Sequence, residues 1–175
     1  MQLRNGFTLI ELMVVIAIVA ILASIGYPSF NTAMLNNRIS TQTNSLVGLL
    51  QYARTEAVAN RTIVRVCGST NANNATYPKA CNTTDWENGV IAFRDADGNG
   101  SATATELVRV MPPSADGNSI RGVANASDSV AFQTDGTLTQ SWSLRVCDSR
   151  GASSSRQVVI NIAGQARSGG NNQCP

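Results

Sequence analysis

The stretch FTLIELMVVIAIVAILASIGYP, from Phe7 to Pro28, decides how this chain is read. Between Phe7 and Tyr27 its only polar side chains are Thr8, Glu11 and Ser24. As a helix rising about 1.5 Å per residue, these 21 residues reach roughly 30 Å, the thickness of a bilayer core. Arg4 is the sole basic residue ahead of the run and Arg38 the next after it, which favours a cytoplasmic amino end and an exported remainder. Two simpler readings compete: a secretory signal peptide cleaved near Ala23 or Gly26, and a plain transmembrane anchor. Glu11 fits neither. A carboxylate inside the run costs on the order of a few kcal/mol unless it is partnered, and a secretory pattern places charge before the apolar region.

Working outward, Pro28 lacks an amide hydrogen and its ring crowds the preceding turn, so a kink or local melting is predicted there, with Gly26 adding slack. Beyond it Leu35, Ile39, Leu46, Leu49, Leu50, Ala53, Ala57 and Val58 recur at spacings that put them on one helical face. The helix is predicted to run to about Asn60 and to lay this face on a domain. After Asn60, short alternating segments are separated by Gly, Asn, Asp and Ser clusters. Strands are predicted at Thr62–Cys67, Val90–Arg94, Glu106–Met111, Ser129–Gln133, Trp142–Cys147 and Gln157–Ile162. In the last two, Leu144 and Val146, then Val158, Ile160 and Ile162, form the inward sets. The fold class is α+β: a long amino-terminal helix, transmembrane in its first half, packed on an antiparallel sheet domain.

Composition narrows the function. The chain of 175 residues has no histidine, which removes His-based triads, Cys-His dyads and imidazole-ligated zinc. Hydrophobic residues at 43% against charged residues at 14% make a folded chain. Aromatics at 5% are too few for a nucleic-acid stacking surface, and a net charge of +2 implies no polyanionic partner by itself. Trp86 and Trp142 read as packing residues. No nucleophile motif, acid/base pair or phosphate-binding glycine loop is legible, so the chain reads as structural rather than enzymatic.

Four cysteines in an exported chain suggest two disulfides, with three possible connectivities. Cys67–Cys81 with Cys147–Cys174 is the economical pairing: one bridge pins an Asn-rich loop, the other a Gly/Asn-rich tail. A metal site is the alternative, although no C-x-x-C pair exists. Asp95-x-Asp97-x-Asn99-Gly100 with Glu106 five residues further on fits a calcium-loop pattern. Its flanks read as strands, and a polar hairpin turn explains the same residues. From Trp142 on, Arg145, Arg150, Arg156 and Arg167 face one acid, Asp148, which is either a basic surface or a solvated scatter.

Gly6-Phe7-Thr8-Leu9-Ile10-Glu11-Leu12, the apolar run and Pro28 resemble the amino terminus of a type IV prepilin. Gln51-Tyr52-Ala53-Arg54-Thr55-Glu56-Ala57, Trp86-Glu87-Asn88-Gly89 and Phe93–Gly100 are similar to the GspH/FimT/FimU group of minor pilins. The resemblance implies a leader, residues 1–6, cut between Gly6 and Phe7 by a prepilin peptidase, and N-methylation of Phe7. It implies an assembly helix over 7–28, an amphipathic continuation over 29–60 and an exported domain over 61–175. Glu11 then sets register by pairing with the amino terminus of a neighbouring subunit. The implied partners are other major and minor pilins or pseudopilins and the inner-membrane assembly platform; the implied location is the inner membrane, then a pilus or a type II secretion pseudopilus. In FimT-like pilins a Gly-Arg-x-Arg motif is associated with DNA capture. Gly164-Gln165-Ala166-Arg167 retains its glycine and final arginine, which makes Arg150, Arg156 and Arg167 the candidate DNA contacts. Beyond calcium no cofactor is implied.

Overall fold

The structure, a computed structural model, describes residues 7–114, 117–122, 129–169 and 174. Two compact units divide at Asn37 and Arg38. In the first, helix α1 (Leu9–Asn60) begins behind Thr8, whose Oγ1 accepts a hydrogen bond from the Glu11 amide at 3.3 Å. Thr8-x-x-Glu11 has the spacing of a capping box, which answers one of the amides a helix start leaves without a partner. Every described residue up to Met34 is exposed, so the apolar stripe meets no protein in this unit. Helical geometry continues through Pro28, contrary to the predicted melting. The proline removes one amide donor, while the Thr32 hydroxyl donates to the Pro28 carbonyl at 3.0 Å and the Ser24 hydroxyl to that of Ile21 at 2.7 Å.

The second unit starts on the same helix. Ile39, Thr43, Leu46, Leu49, Leu50, Ala53 and Ala57 are buried at steps of three and four. Leu35 is only partly buried and Val58 is 48% exposed, so the apolar face is narrower than the sequence pattern. The helix ends in a Schellman turn: the Thr62 amide donates to the Ala57 carbonyl at 3.3 Å, which places Arg61 at φ 51° in the left-handed position usually held by glycine.

Two four-stranded antiparallel sheets follow. The first has the order β5-β3-β1-β7, with β1 (Val64–Gly68), β3 (Val90–Arg94), β5 (Leu107–Met111) and β7 (Ser129–Phe132). The second has the order β10-β9-β8-β6, with β6 (Ser119–Gly122), β8 (Trp142–Cys147), β9 (Arg156–Ile160) and β10 (Ala166–Gly169). A small pair, β2 (Lys79–Ala80) and β4 (Ser101–Ala102), lies apart. Sequence periodicity missed β2, β4, β6 and β10, which are two to four residues long and carry little alternation.

The core gathers the buried helix face, Val64, Val66, Val90, Ala92, Val130 and Phe132 from the first sheet, and Ile120, Leu144, Val146, Val158 and Ile160 from the second. Trp86 and Trp142 are buried in it. A second cluster of Cys67, Ala72, Ile91, Phe93 and Ala102 covers the other face of the first sheet. This two-sided cover explains why Val90–Phe93 is continuously apolar, whereas Ile162, predicted to face inward, lies beyond β9 and is 58% exposed.

Candidate functional site

Chemistry-bearing residues are best followed along the chain. Gly6 lies outside the described residues, and Phe7 is exposed just ahead of the helix. The Glu11 carboxylate is exposed too, with no cationic partner among the described residues. An apolar helix that carries one unpaired carboxylate is suited to a partner supplied by another chain.

Both disulfides form with the expected connectivity. Cys67–Cys81 spans 14 residues with Cα atoms 5.4 Å apart, and Cys147–Cys174 spans 27 residues at 6.0 Å. The first closes the Asn-rich loop over the second core cluster. Inside that loop Lys79 is buried, its Nζ donating to the carbonyls of Asn71 (2.9 Å) and Asn74 (2.5 Å) and lying 4.9 Å from the centre of the Tyr77 ring.

The residues of the calcium pattern are committed to the turn they belong to. The buried Asp95 carboxylate pairs with Arg65 and accepts from the Gly100 amide at 3.1 Å. Asp97 accepts from the Asn99 amide (3.1 Å) and side chain (2.5 Å), Asn99 from the Ser101 amide (2.7 Å), and Glu106 from the amide and hydroxyl of Thr103 (3.0 and 2.7 Å). These are turn-closing bonds of short polar side chains. Among the described residues no three acidic, cysteine or histidine side chains gather as a metal site requires.

The candidate DNA arginines are not brought together. Arg150 pairs with Asp148 at 2.5 Å, and Arg150 Nε donates to the same carboxylate at 2.9 Å. Burial pushes the Asp148 carboxyl up, but this guanidinium and the Arg150 amide outweigh it and hold the group below its ordinary range. Arg156 shares the strand parity of the inward Val158 and Ile160, whereas Arg167 pairs across the ladder with Val159 on the opposite face. Gln165, standing where the motif has its first arginine, is tied to Asn161 by its amide (2.8 Å) and its side chain (3.2 Å).

Two stretches quoted for the resemblance do meet. Arg54 of α1 reaches two glycine turns, with its Nε donating to the Gly136 carbonyl at 3.1 Å. Gly136 (φ 77°) and Gly164 (φ 74°) have no room for a Cβ: one on Gly136 would lie 2.8 Å from Val58 and 3.1 Å from Arg54, and one on Gly164 would lie 1.9 Å from the Gly136 carbonyl oxygen. Gln51 Nε2 donates to the Ala166 carbonyl at 3.3 Å on the outer edge of β10. Beside these contacts opens a groove of about 590 Å³, walled by Gln51, Arg54, Thr55 and Val58 on the helix and by Gly164 to Ala166 on the turn. Sequence reading missed this convergence, because nothing in the spacing says that residues 54, 136 and 164 touch.

Comparison with known proteins matches residues 42–164 to the family model of type II transport protein GspH. The chain belongs to the GspH family. Residues 1–27 match the prokaryotic N-terminal methylation motif. Two crystal forms of the type IV minor pilin FimU from Pseudomonas aeruginosa share the fold of this GspH-family chain. One has 23% identity and a TM-score of 0.62 over 79% of this chain and 93% of FimU; the other has 22% and 0.59 over 78% and 97%. No curated protein matches the sequence. The pilin fold, one long helix on antiparallel sheets, is therefore established for this chain, together with its prepilin-type amino terminus.

Proposed function

We propose that this GspH-family protein is a minor subunit of a type IV pilus, an assembly protein that acts by helix packing and surface contact. Peptidase cleavage between Gly6 and Phe7 and methylation of Phe7 would release a helix whose Glu11 pairs with the amino terminus of a neighbouring subunit. The observation that carries this reading is the exposed apolar stripe of α1, unbroken from Leu9 to Ile25 except for Glu11 and Ser24, with the Glu11 carboxylate unpaired among the described residues. Such a stripe is covered by lipid before assembly and by other helices after it. The likeness to FimU favours the pilus. The family description, a type II transport protein, favours a secretion pseudopilus as the second reading.

Intact-mass measurement and amino-terminal sequencing of the native protein test the processing step. The expected start is methylated Phe7, and a start near Ser24 or Tyr27 would refute it. Glu11→Ala should leave membrane levels normal and reduce incorporation into filaments, and normal incorporation would refute the register role. Copurification with pilus or with secretion components separates the two machines.

A further inference from the structure

We propose that the groove between α1 and the β9–β10 turn receives an extended, acidic segment of another pilin-like subunit, with Arg54 gripping its carboxylate. This rests on the filament reading above and names the contact by which the domain would meet a neighbour.

Three observations converge on that occupant. First, Arg54 is pinned but unspent. Its Nε is held by Gly136 and its stem lies against Gly136 and Gly164, so the guanidinium is already ordered. Its two Nη groups have no hydrogen bond and no carboxylate among the described residues. Glu56, two positions on, is turned to Arg94 at 3.3 Å, and Asp135, beside Gly136, is engaged by the Thr137 amide and hydroxyl at 2.9 and 2.7 Å. A preorganised fork of this kind suits a carboxylate and loses little freedom on binding.

Second, the far wall is a sheet edge. The Asn161 amide donates to the Gln165 carbonyl at 3.2 Å, and the alternation of an antiparallel ladder then turns the main-chain groups of Ala166 and Ser168 away from β9. Gln51 satisfies the Ala166 carbonyl, and Ser168 is exposed on a strand that has no outer neighbour among the described residues. An extended segment can pair there, as peptides do at open edges.

Third, Arg54 is the one charged group among the described residues that line the groove. Among the described residues no acid lines the groove, and its walls include the exposed Val58 and Ala59. These features fit a segment with a carboxylate for Arg54 and an apolar side chain for Val58 better than a basic one.

The test uses the full-length chain in cells that assemble the filament, with the photo-cross-linker p-benzoylphenylalanine in place of Thr55. The expected result is an adduct with another pilin-like subunit, mapped by mass spectrometry to an extended segment that contains Asp or Glu. Arg54→Gln should lower its yield at least tenfold, and so should Gln in place of the mapped acid; exchanging the two charges should restore it. Val58→Ser keeps Arg54 in place and should lower the yield severalfold, so a folding defect in the Arg54 variant cannot imitate the result. Adducts that map only to this chain's own residues, to lipid, to DNA or to segments without a carboxylate would overturn the proposal, as would a yield indifferent to Arg54→Gln. Phe7 processing and filament fractionation are read in the same strain. A processed chain in filaments without the Arg54-dependent adduct sinks the docking site alone, whereas an unprocessed chain outside filaments sinks both.

Discussion

Gly164→Ala tests the packing on which the groove depends. Gly164 has φ 74°, and a Cβ there would stand 1.9 Å from the Gly136 carbonyl oxygen, 2.9 Å from Arg54 Nε and 3.1 Å from Arg54 Cδ. The left-handed backbone alone costs an alanine about 1 kcal/mol. The clash involves backbone on one side and a pinned side chain on the other, so the two turns must separate. That breaks the 3.1 Å bond from Arg54 to Gly136, a charged hydrogen bond whose partial exposure reduces it to about 1 kcal/mol, and strains the 2.8 Å bond from the Gly164 amide to Asn161. The expected loss is about 3 kcal/mol, or about 10 °C in Tm for a domain of this size. Gly98→Ala supplies the reference: its φ is 73°, but nothing lies within 4 Å of its Cβ, so only the backbone penalty of about 1 kcal/mol remains. Both variants should be melted as full-length chains in detergent micelles, disulfides intact, following the fluorescence of the buried Trp86 and Trp142. Equal losses for the two variants would refute the contact between the turns.

Arg61→Gly should raise stability by about 0.5–1 kcal/mol, because it relieves a non-glycine residue at φ 51°; a lower midpoint in urea would contradict the helix end described above. Replacing Cys67 and Cys81 by Ser should cost about 3 kcal/mol and replacing Cys147 and Cys174 slightly more, about 3.5 kcal/mol, as loops of 14 and 27 residues imply; denaturant midpoints measure both. Glu87 should make stability depend on acid. Burial pushes its carboxyl up, but Arg121 and the main-chain amides of Glu87 and Ile120 outweigh it, so the folded pKa falls below the ordinary 4.5. The stabilisation is complete above that value and is lost as pH falls through the lower folded one. Glu87→Gln should flatten this part of the profile, and an unchanged slope would remove Glu87 as its source.

How legible the fold was depends on how far apart its determinants lie in sequence. The helix was readable from Phe7 to Asn60 because each of its bonds joins residues four apart, and its buried face repeats within two turns. Pro28 misled because the deficit of one amide is local, and a helix this long keeps its geometry on either side. The longer strands appeared wherever one face was buried, as in Trp142–Cys147. Even β3, covered on both faces, was legible from its continuous apolar run, whereas strands in which only a few residues pair, such as β6 and β10, were not. Cysteine pairing followed from loop economy, a local argument. The calcium pattern is ambiguous for the opposite reason: its ligand spacing is also the spacing at which Asp and Asn close turns on their own backbone, and Arg65, thirty residues earlier in the chain, pairs with the carboxylate at its head.

The same logic accounts for the arginines near the carboxyl end. Charge count treats Arg150, Arg156 and Arg167 as one surface, yet counting ignores the period of two along a strand. Arg156 and Arg167 belong to opposite faces because the ladder pairs Arg167 with Val159 rather than with Val158, and Arg150 is neutralised two residues from its own partner. Gly164, retained from the motif, has a steric duty instead: it lets the β9–β10 turn touch Gly136 and leaves Arg54 held between the two. Gln165 completes that turn through Asn161. An arginine in its place would lose the side-chain bond and add a second cation beside Arg54. The arginines of this segment are therefore dispersed, and the charged group in the groove's lining is Arg54 of the helix. A carboxylate from one neighbouring chain matches that arrangement better than the repeating phosphates of a nucleic acid, whose binding depends on many contacts at once.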